Sequence, residues 1–101
     1  MSKNLASHKV LLENNVFKIT KWEFLPNQET GWHTHEMDYV VMPLRDGKLK
    51  IVSNDLSVNI VSVFTDNPYF KKAGIHHNVI SDNEDYFSFL EMEFKKSQNI
   101  I

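Results

Sequence analysis

The sequence predicts an all-β protein built as a β-sandwich or a small β-barrel. Apolar and polar residues alternate with a period of two in many segments, and no window of a dozen residues shows the 3.6-residue period of an amphipathic helix. The alternating segments are rich in β-branched and aromatic residues and are separated by Pro, Gly, Asn and Asp turns. Short strands at this spacing, with no helix between them, are typical of sandwiches and small barrels.

Nine segments carry this strand pattern, and turn residues separate most of them. The clearest turns are Pro26-Asn27, the run of residues 45–47 and the run of residues 66–68. We therefore expect the following strands in chain order: His8–Glu13, Val16–Leu25, Trp32–His35, Asp38–Met42, Gly47–Val52, Ser57–Phe64, Pro68–Lys71, His76–Ile80 and Asp85–Phe94.

The second segment changes its apolar face part-way along. Phe17 and Ile19 share one face, whereas Trp22 and Phe24 share the other. This switch near Thr20 predicts either a β-bulge at that point or a long strand that passes from one sheet to another.

Length and composition predict one small domain. The 101 residues fit a single core, and we expect residues 1–7 and 97–101 to be loose termini. The absence of Cys excludes disulfides, thiolate metal sites and thiol nucleophiles. A net charge of −2 argues against nucleic acid as a partner. We expect no membrane association and a cytoplasmic location, because no signal-peptide pattern or long apolar stretch occurs.

Three histidines are the chemically informative residues. His33 and His35 lie two residues apart in a predicted strand, so their side chains face the same way, about 6.5–7 Å apart along the chain. Two imidazoles at that separation can bind one metal ion. His77 begins another predicted strand, just after a turn at Gly74. Taken alone, the pair is equally compatible with solvent-facing or hydrogen-bonded histidines.

A wider spacing pattern surrounds the histidine pair. Asn27 lies six residues before His33, and Gly47 lies twelve residues after His35. This order resembles the first motif of the cupin superfamily, in which a Gly, His-x-His, a Glu and a second Gly follow one another. Asn27 stands at the first Gly, which is a mild departure because Asn tolerates a left-handed backbone better than other non-Gly residues.

A later run resembles the second cupin motif. Gly74 and His77 stand at its Gly and His. Three positions depart from the motif, since Asp66, Lys72 and Ser81 replace a Gly, a Pro and an Asn.

The resemblance covers about residues 16–94 and is nearest to small single-domain cupins of β-alanine degradation. These share a Gly-Trp-His-x-His-x-x-Asp-Tyr-Val-Val segment, here residues 31–41. The resemblance implies a jelly-roll barrel, also called a double-stranded β-helix. It also implies one divalent metal ion (Fe, Zn, Ni, Mn or Cu) bound by His33, His35 and His77.

The carboxylate ligand of the cupin motif has no counterpart here. Tyr39 or Val40 stands at the position of the family's Glu, depending on the alignment, and neither is a carboxylate. The resemblance therefore implies a three-histidine site, similar to the iron sites of thiol dioxygenases and β-diketone dioxygenases. A metal ion without a carboxylate ligand keeps its full charge and should attract a small anionic organic molecule.

Tyr39 has several roles open to it. It could bind the metal weakly, hydrogen-bond the bound molecule, transfer a proton as a catalytic residue, or pack in the core. A bulge at Glu36 would instead turn Asp38 inward and restore a carboxylate ligand. Glu36 and Asp38 could also orient a ligand histidine by hydrogen bonding.

We therefore predict a small cupin that binds or transforms a small anionic molecule at a mononuclear three-histidine site. If it is an enzyme, dioxygenase chemistry is expected first, with isomerase or lyase chemistry next. Two alternatives stay open: a non-catalytic ligand-binding or sensor cupin, and a metal-free structural cupin.

The remaining polar candidates have ordinary structural roles as their first interpretation. His76 precedes His77 in the chain and should face the opposite side of its strand. His8 lies in a segment expected to be mobile or exchanged within a dimer. Glu91 and Glu93 alternate with apolar residues and fit the polar face of a half-buried strand, but either Glu, Glu91 among them, could face the cavity if that strand is turned.

An excess of large apolar residues predicts a homodimer. The chain has seven Phe, three Tyr and two Trp, and residues 86–90 are apolar on both faces of one predicted strand. Strands that are apolar on both faces are expected where the second face meets a partner. We expect the segment Val10–Leu12 to pack against the neighbouring subunit.

Overall fold

The computed structural model describes residues 4–96, which form strands joined by turns. All nine predicted strands occur, with ends that differ from the predicted ends by at most two residues. The all-β prediction is confirmed, and these residues contain no helix that could cross a membrane. The strands are β1 (Ser7–Glu13), β2 (Phe17–Phe24), β3 (His33–Thr34), β4 (Tyr39–Pro43), β5 (Gly47–Ser53), β6 (Val58–Val63), β7 (Tyr69–Lys71), β8 (His76–Ser81) and β9 (Phe87–Phe94).

Two antiparallel sheets face each other and form a jelly-roll barrel. The five-stranded sheet has the order β1-β2-β9-β4-β7, and the four-stranded sheet has the order β3-β8-β5-β6. Strands far apart in the chain are neighbours in each sheet, as β2 and β9 are. The inward faces bury a core of apolar side chains: Phe24, Tyr39, Val41, Leu49, Val63, Val79, Phe87 and Phe89.

The N-terminal segment differs from the expected loose end. Residues 1–3 and 97–101 lie outside the described residues, so that expectation is not addressed there. Residues 4–7 are bonded to the loop that follows β2, because the Ala6 N–H donates to the Glu29 carbonyl at 2.8 Å and the Glu29 N–H donates to the Asn4 carbonyl at 3.0 Å. Backbone pairing with a distant loop therefore holds this segment in place, and Ser7 already belongs to β1.

The bulge expected near Thr20 in β2 does not occur there. β2 pairs with β9 in unbroken register from Phe17 to Phe24, and the irregularity lies in β1, between Val10 and Leu12. The apolar residues of β2 change face because the outer face of this sheet is apolar at one end of β2 and polar at the other, where Lys21 and Glu23 lie. Trp22 and Phe24 face the core, whereas the outer face carries Phe17 and Ile19.

A continuous apolar row crosses the outer face of the five-stranded sheet. Strand register aligns Leu12, Ile19, Met92, Val40 and Phe70 side by side, one from each strand. Two of these side chains are strongly exposed, Leu12 at 50% and Phe70 at 53%. We call this the outer row; Phe17, Met42, Leu90 and Phe94 lie on the same face beside it.

Three turns of the described residues hold a left-handed backbone at a non-glycine residue, namely at Asn27, Leu56 and Asp66. Asn27 has φ of 66° and Asp66 has φ of 64°, and these are the two positions at which the motifs of the sequence carry Asn and Asp in place of Gly. Short polar side chains accept this conformation at a lower cost than other non-Gly residues. Gly47 is needed for a different reason, since a Cβ there would lie 2.7 Å from Asn83 Oδ1.

The left-handed turn at Asn27 yields a stability prediction. Its side chain makes no hydrogen bond among residues 4–96, so a substitution there acts mainly through the backbone. Asn27→Ala should lower the free energy of unfolding by about 1 kcal/mol, whereas Asn27→Gly should leave it unchanged or raise it slightly. Urea denaturation measures both. Asn54→Ala is the control, because Asn54 also lies in a turn but does not itself have a positive φ, and equal effects at positions 27 and 54 would contradict the explanation.

Candidate metal centre

The pairing of β3 with β8 brings the three histidines together. His33 lies directly opposite His77 in the antiparallel register. His35 continues the same pairing beyond the end of β3, since its N–H donates to the Ile75 carbonyl at 2.8 Å and its carbonyl accepts from the Gly74 N–H at 2.8 Å. The alternation of side chains then places all three imidazoles on the inner face of the sheet.

The three imidazole nitrogens form a nearly equilateral triangle. The Nε2 atoms are 3.0 Å apart between His33 and His35, 3.1 Å between His35 and His77, and 3.1 Å between His77 and His33. Metal–nitrogen bonds of about 2.1 Å that meet at about 90° place nitrogens about 3.0 Å apart, whereas tetrahedral angles place them about 3.4 Å apart. The triangle therefore fits one face of an octahedron.

A backbone carbonyl orients His33. Its Nδ1 lies 2.8 Å from the Gly31 carbonyl oxygen and 3.3 Å from Thr30 Oγ1. A carbonyl oxygen only accepts, so Nδ1 carries the proton and Nε2 presents a lone pair to the centre of the triangle. Three nitrogens that face one another fit a shared cation, and the donor set is therefore suited to a divalent metal ion.

Burial keeps two of the histidines neutral at pH 7. It lowers the pKa of His35 to about 3 and that of His77 to about 4, and the charge of His33 acts in the same direction on both. Neutral imidazole is the form that binds metals. The fold thus prepares these side chains in the protonation state of a ligand.

Tyr39 lies inside the barrel and packs on His35. Its side chain is 3% exposed, and its ring is stacked on the His35 ring with a centroid distance of 3.8 Å. Burial, with a smaller contribution from Glu91, raises the pKa of Tyr39 well above its usual range. The hydroxyl therefore keeps its proton at neutral pH, a state suited to hydrogen bonding rather than to binding a metal as phenolate.

The expected alternative with Asp38 as a ligand does not occur. Its Oδ1 accepts a hydrogen bond from the Ala73 N–H at 2.8 Å, which ties the start of β4 to the turn before Gly74. Glu36 is exposed and is bonded to none of the three histidines. The carbonyl of Gly31, rather than a carboxylate, has the orienting role that was expected of these two residues.

Two other histidines lie outside the triangle. His76 faces the other side of β8, as predicted, where its Nδ1 lies 2.7 Å from Thr34 Oγ1 and its ring stacks on Trp32. His8 stacks on Trp22 with a centroid distance of 4.6 Å. Both therefore have aromatic partners in the fold.

The triangle lies in a cavity of about 540 Å³ between the two sheets. Apolar and polar side chains share the wall, and its titratable residues are the three histidines of the triangle, His76, Tyr39, Tyr69, Lys71 and Glu91. A cavity that combines apolar surface with a few converging polar groups is typical of a small-molecule site.

Comparison with known proteins places this architecture in a family. The chain is 40% identical over 88 residues to Beta-alanine degradation protein BauB of Pseudomonas aeruginosa, which covers 85% of this chain and 90% of that protein. A crystal structure of a cupin domain from Bordetella pertussis is 35% identical, with a TM-score of 0.89 over 95% of this chain and 99% of that one. This chain belongs to the cupin superfamily.

More distant cupins share the fold alone. A cupin superfamily protein from Desulfitobacterium hafniense is 12% identical, with a TM-score of 0.70 over 95% of this chain and 83% of that one. No protein-family model matches the chain. The predicted jelly-roll barrel of a small single-domain cupin is thus confirmed.

Glu91 is the residue of this cupin's cavity that the sequence interpretation assigned to the wrong face. In β9 it shares its face with Phe87 and Phe89, which are both buried in the core. Leu90, Met92 and Phe94 point outward instead. The matching parity of residues 87, 89 and 91 is the sequence signal that could have identified it.

Burial gives Glu91 an unusual protonation behaviour. Its pKa is raised from 4.5 to about 7, first by burial and then by the charge of Glu93. The charge of Lys18 and, after it, the Trp22 indole N–H act in the opposite direction. Oxygens of Glu91 and Glu93 and a ring nitrogen of His35 all lie within 4.8 Å of one another, so the two carboxylates are close neighbours of the histidine triangle.

The raised pKa of Glu91 predicts a pH-dependent stability. The stabilisation linked to its protonation is fully present below pH 4.5, the unfolded value, and is lost as the pH rises through about 7. In metal-free protein, Glu91→Gln should therefore gain stability relative to the wild type between pH 5 and pH 8, on the order of 2–3 kcal/mol. Urea denaturation at the two pH values measures the gain.

Glu13→Gln is the matched control. Glu13 is exposed, and its hydrogen bond to Lys95 lowers its pKa, so its replacement should give no gain at pH 8. An equal effect of Glu91→Gln at pH 5 and pH 8 would contradict the assignment.

Proposed function

We propose that this cupin binds one divalent metal ion through His33, His35 and His77 and holds a small anionic organic molecule at that ion. The observation that carries the proposal is the triangle of Nε2 atoms with edges of 3.0–3.1 Å. A site that presents three imidazole nitrogens on one side leaves the opposite side to a bound molecule. A metal ion there supplies Lewis acidity, and in dioxygenases it supplies access to oxygen chemistry.

The protein groups around the triangle orient the histidines and contact the bound molecule. The Gly31 carbonyl fixes the tautomer and direction of His33, and Tyr39 backs the ring of His35. Tyr39 keeps its proton, so we propose that its hydroxyl acts as a hydrogen-bond donor. The apolar part of the wall can contact the body of a bound molecule, and Lys71 brings a positive charge to the cavity. Together these features favour a small anion with an aliphatic body.

Dioxygenase chemistry is the catalytic form of this proposal, and a non-catalytic ligand-binding cupin is its rival. The name of the Pseudomonas relative assigns that protein to β-alanine degradation, so we propose short aliphatic carboxylates as the first compounds to assay. Iron-loaded protein that consumes oxygen in the presence of one such acid would support the enzyme. Tight binding of the acid without oxygen consumption would support the rival.

The histidine triangle predicts the result of removing single ligands. His33→Ala and His77→Ala should each reduce bound metal from about one ion per chain to less than about one tenth, because the loss of one of three imidazoles removes a large part of the binding free energy. Elemental analysis of protein expressed without an affinity tag measures this, with circular dichroism as the check on folding.

His76→Ala is the matched control for the metal measurement. It removes the same side chain from the next position in β8, where the ring faces Thr34 and Trp32 instead of the triangle. Its metal content should equal that of the wild type. Wild-type protein that stays free of metal after expression in metal-supplemented medium would overturn the proposal.

We also propose that the outer row joins two copies of this chain. The five strands span a face of roughly 500 Å², estimated from strand spacings of about 4.8 Å and rises of about 3.4 Å per residue. The relief of the side chains adds to this flat area and brings it toward the roughly 800 Å² per partner of a stable interface. A two-fold axis through an apolar face of this kind closes the assembly at two subunits.

A dimer formed through the outer row predicts the mass of the protein in solution and the effect of a charge placed in that row. Light scattering at micromolar concentration should report about twice the chain mass of 11.8 kDa. Met92→Lys places a charge in the middle of the outer row and should yield monomers. Ile60→Lys is the control, because Ile60 is exposed on the outer face of the other sheet. A monomeric wild type, or dissociation by Ile60→Lys alone, would contradict the proposal.

A further inference from the structure

Glu91 is the only buried carboxylate among residues 4–96. Its side chain is 9% exposed and belongs to the wall of the central cavity. Within those residues no salt bridge engages its carboxylate, and only two groups favour its ionised form, the charge of Lys18 and the Trp22 indole N–H. Every fully inaccessible side-chain oxygen of the described residues has a hydrogen-bond partner. The oxygens of Glu91 have none within that part of the chain, so they must keep some accessible surface at the cavity wall.

An unpaired carboxylate in such a place destabilises the folded protein. Removing an ionised carboxylate from water costs several kcal/mol unless a charge or hydrogen-bond donors compensate. A Gln or a Leu at position 91 would avoid that cost. Departures of this kind from the rules of stable cores are expected at functional sites, where a bound molecule provides the missing partner.

The position of Glu91 relative to the histidines limits the size of that molecule. One of its oxygens lies within 4.8 Å of a ring nitrogen of His35, so the histidine site and the carboxylate are only a few bond lengths apart. A single small molecule can contact both. Glu93, two residues further along β9, is not among the residues that line the cavity.

We propose that Glu91 binds the second polar end of the bound molecule and thereby selects its chemical class. The inference rests on the metal-dependent function proposed above. One end of the molecule is an anionic oxygen group at the histidine triangle. The other end is a hydrogen-bond donor, an ammonium or a hydroxyl group, that reaches the Glu91 carboxylate. The preferred ligand is therefore a short aliphatic acid with a donor group a few atoms from its carboxylate.

The same carboxylate disfavours acids without such a donor. A fatty acid without a donor group leaves the Glu91 carboxylate unpaired when it is bound in the cavity. The desolvation cost of the Glu91 carboxylate therefore remains. Apolar shape complementarity alone distinguishes such compounds poorly, whereas an unsatisfied polar group distinguishes them well. In this proposal Glu91 is a specificity-determining residue.

Three matched acids test this with cobalt-loaded protein. Propanoate, 3-hydroxypropanoate and 3-aminopropanoate share a carboxylate and differ at the far end. Titration of each at pH 8, followed by the visible absorption of bound Co²⁺, gives the dissociation constants. The wild type should bind the hydroxy or the amino acid at least roughly tenfold more tightly than propanoate, the contribution of about one hydrogen bond to a charged group.

Variants at position 91 assign the preference to its carboxylate. Glu91→Gln keeps the size and Glu91→Leu removes both oxygens; both should bind Co²⁺ and propanoate like the wild type, or propanoate more tightly, and should lose the preference. Glu13→Gln removes a distant exposed charge and should retain it. A preference that persists in both position-91 variants would overturn the inference.

The outcomes separate this inference from the function on which it rests. If the wild type binds no Co²⁺, the metal site itself fails and the inference fails with it. If Co²⁺ binds but the three acids bind equally, or none changes the spectrum, the metal site stands and the role of Glu91 is wrong.

Discussion

The pairing of β3 with β8 is the constraint on which the site depends. The register that sets His33 opposite His77 also brings the backbone of His35 to Gly74 and Ile75. Backbone hydrogen bonds, rather than side-chain contacts, thus determine where the three imidazoles stand. A shift of β3 by one residue would turn His33 and His35 to the other face of the sheet, away from His77.

The surroundings of the triangle set the protonation state of His35 and His77 and the direction of the His33 lone pair. Burial keeps His35 and His77 neutral, and the Gly31 carbonyl points a lone pair of His33 inward. The same burial acts on Glu91 in the opposite chemical sense, since it favours the protonated carboxylic acid. One apolar cavity therefore prepares basic groups to accept a metal ion and leaves an acid without a partner.

The two faces of the five-stranded sheet explain much of the composition. The inner face provides the core and the wall of the cavity, whereas the outer face carries the apolar row from Leu12 to Phe70. The change of apolar face in β2 follows from this arrangement. An alternation pattern assumes one polar face, and it misleads where a sheet is apolar on both sides.

The sequence by itself determined the all-β class, the nine strands and the three histidines, because alternation, turn residues and ligand spacing are local properties. It also indicated that Asn27 could replace a motif glycine, which its φ of 66° confirms. Only the tertiary structure decided which face of β9 lies inside, and hence that Glu91 rather than Asp38 enters the cavity region. A strand pattern has two faces of equal standing, and it is the pairing and packing of distant strands that select one of them for the core.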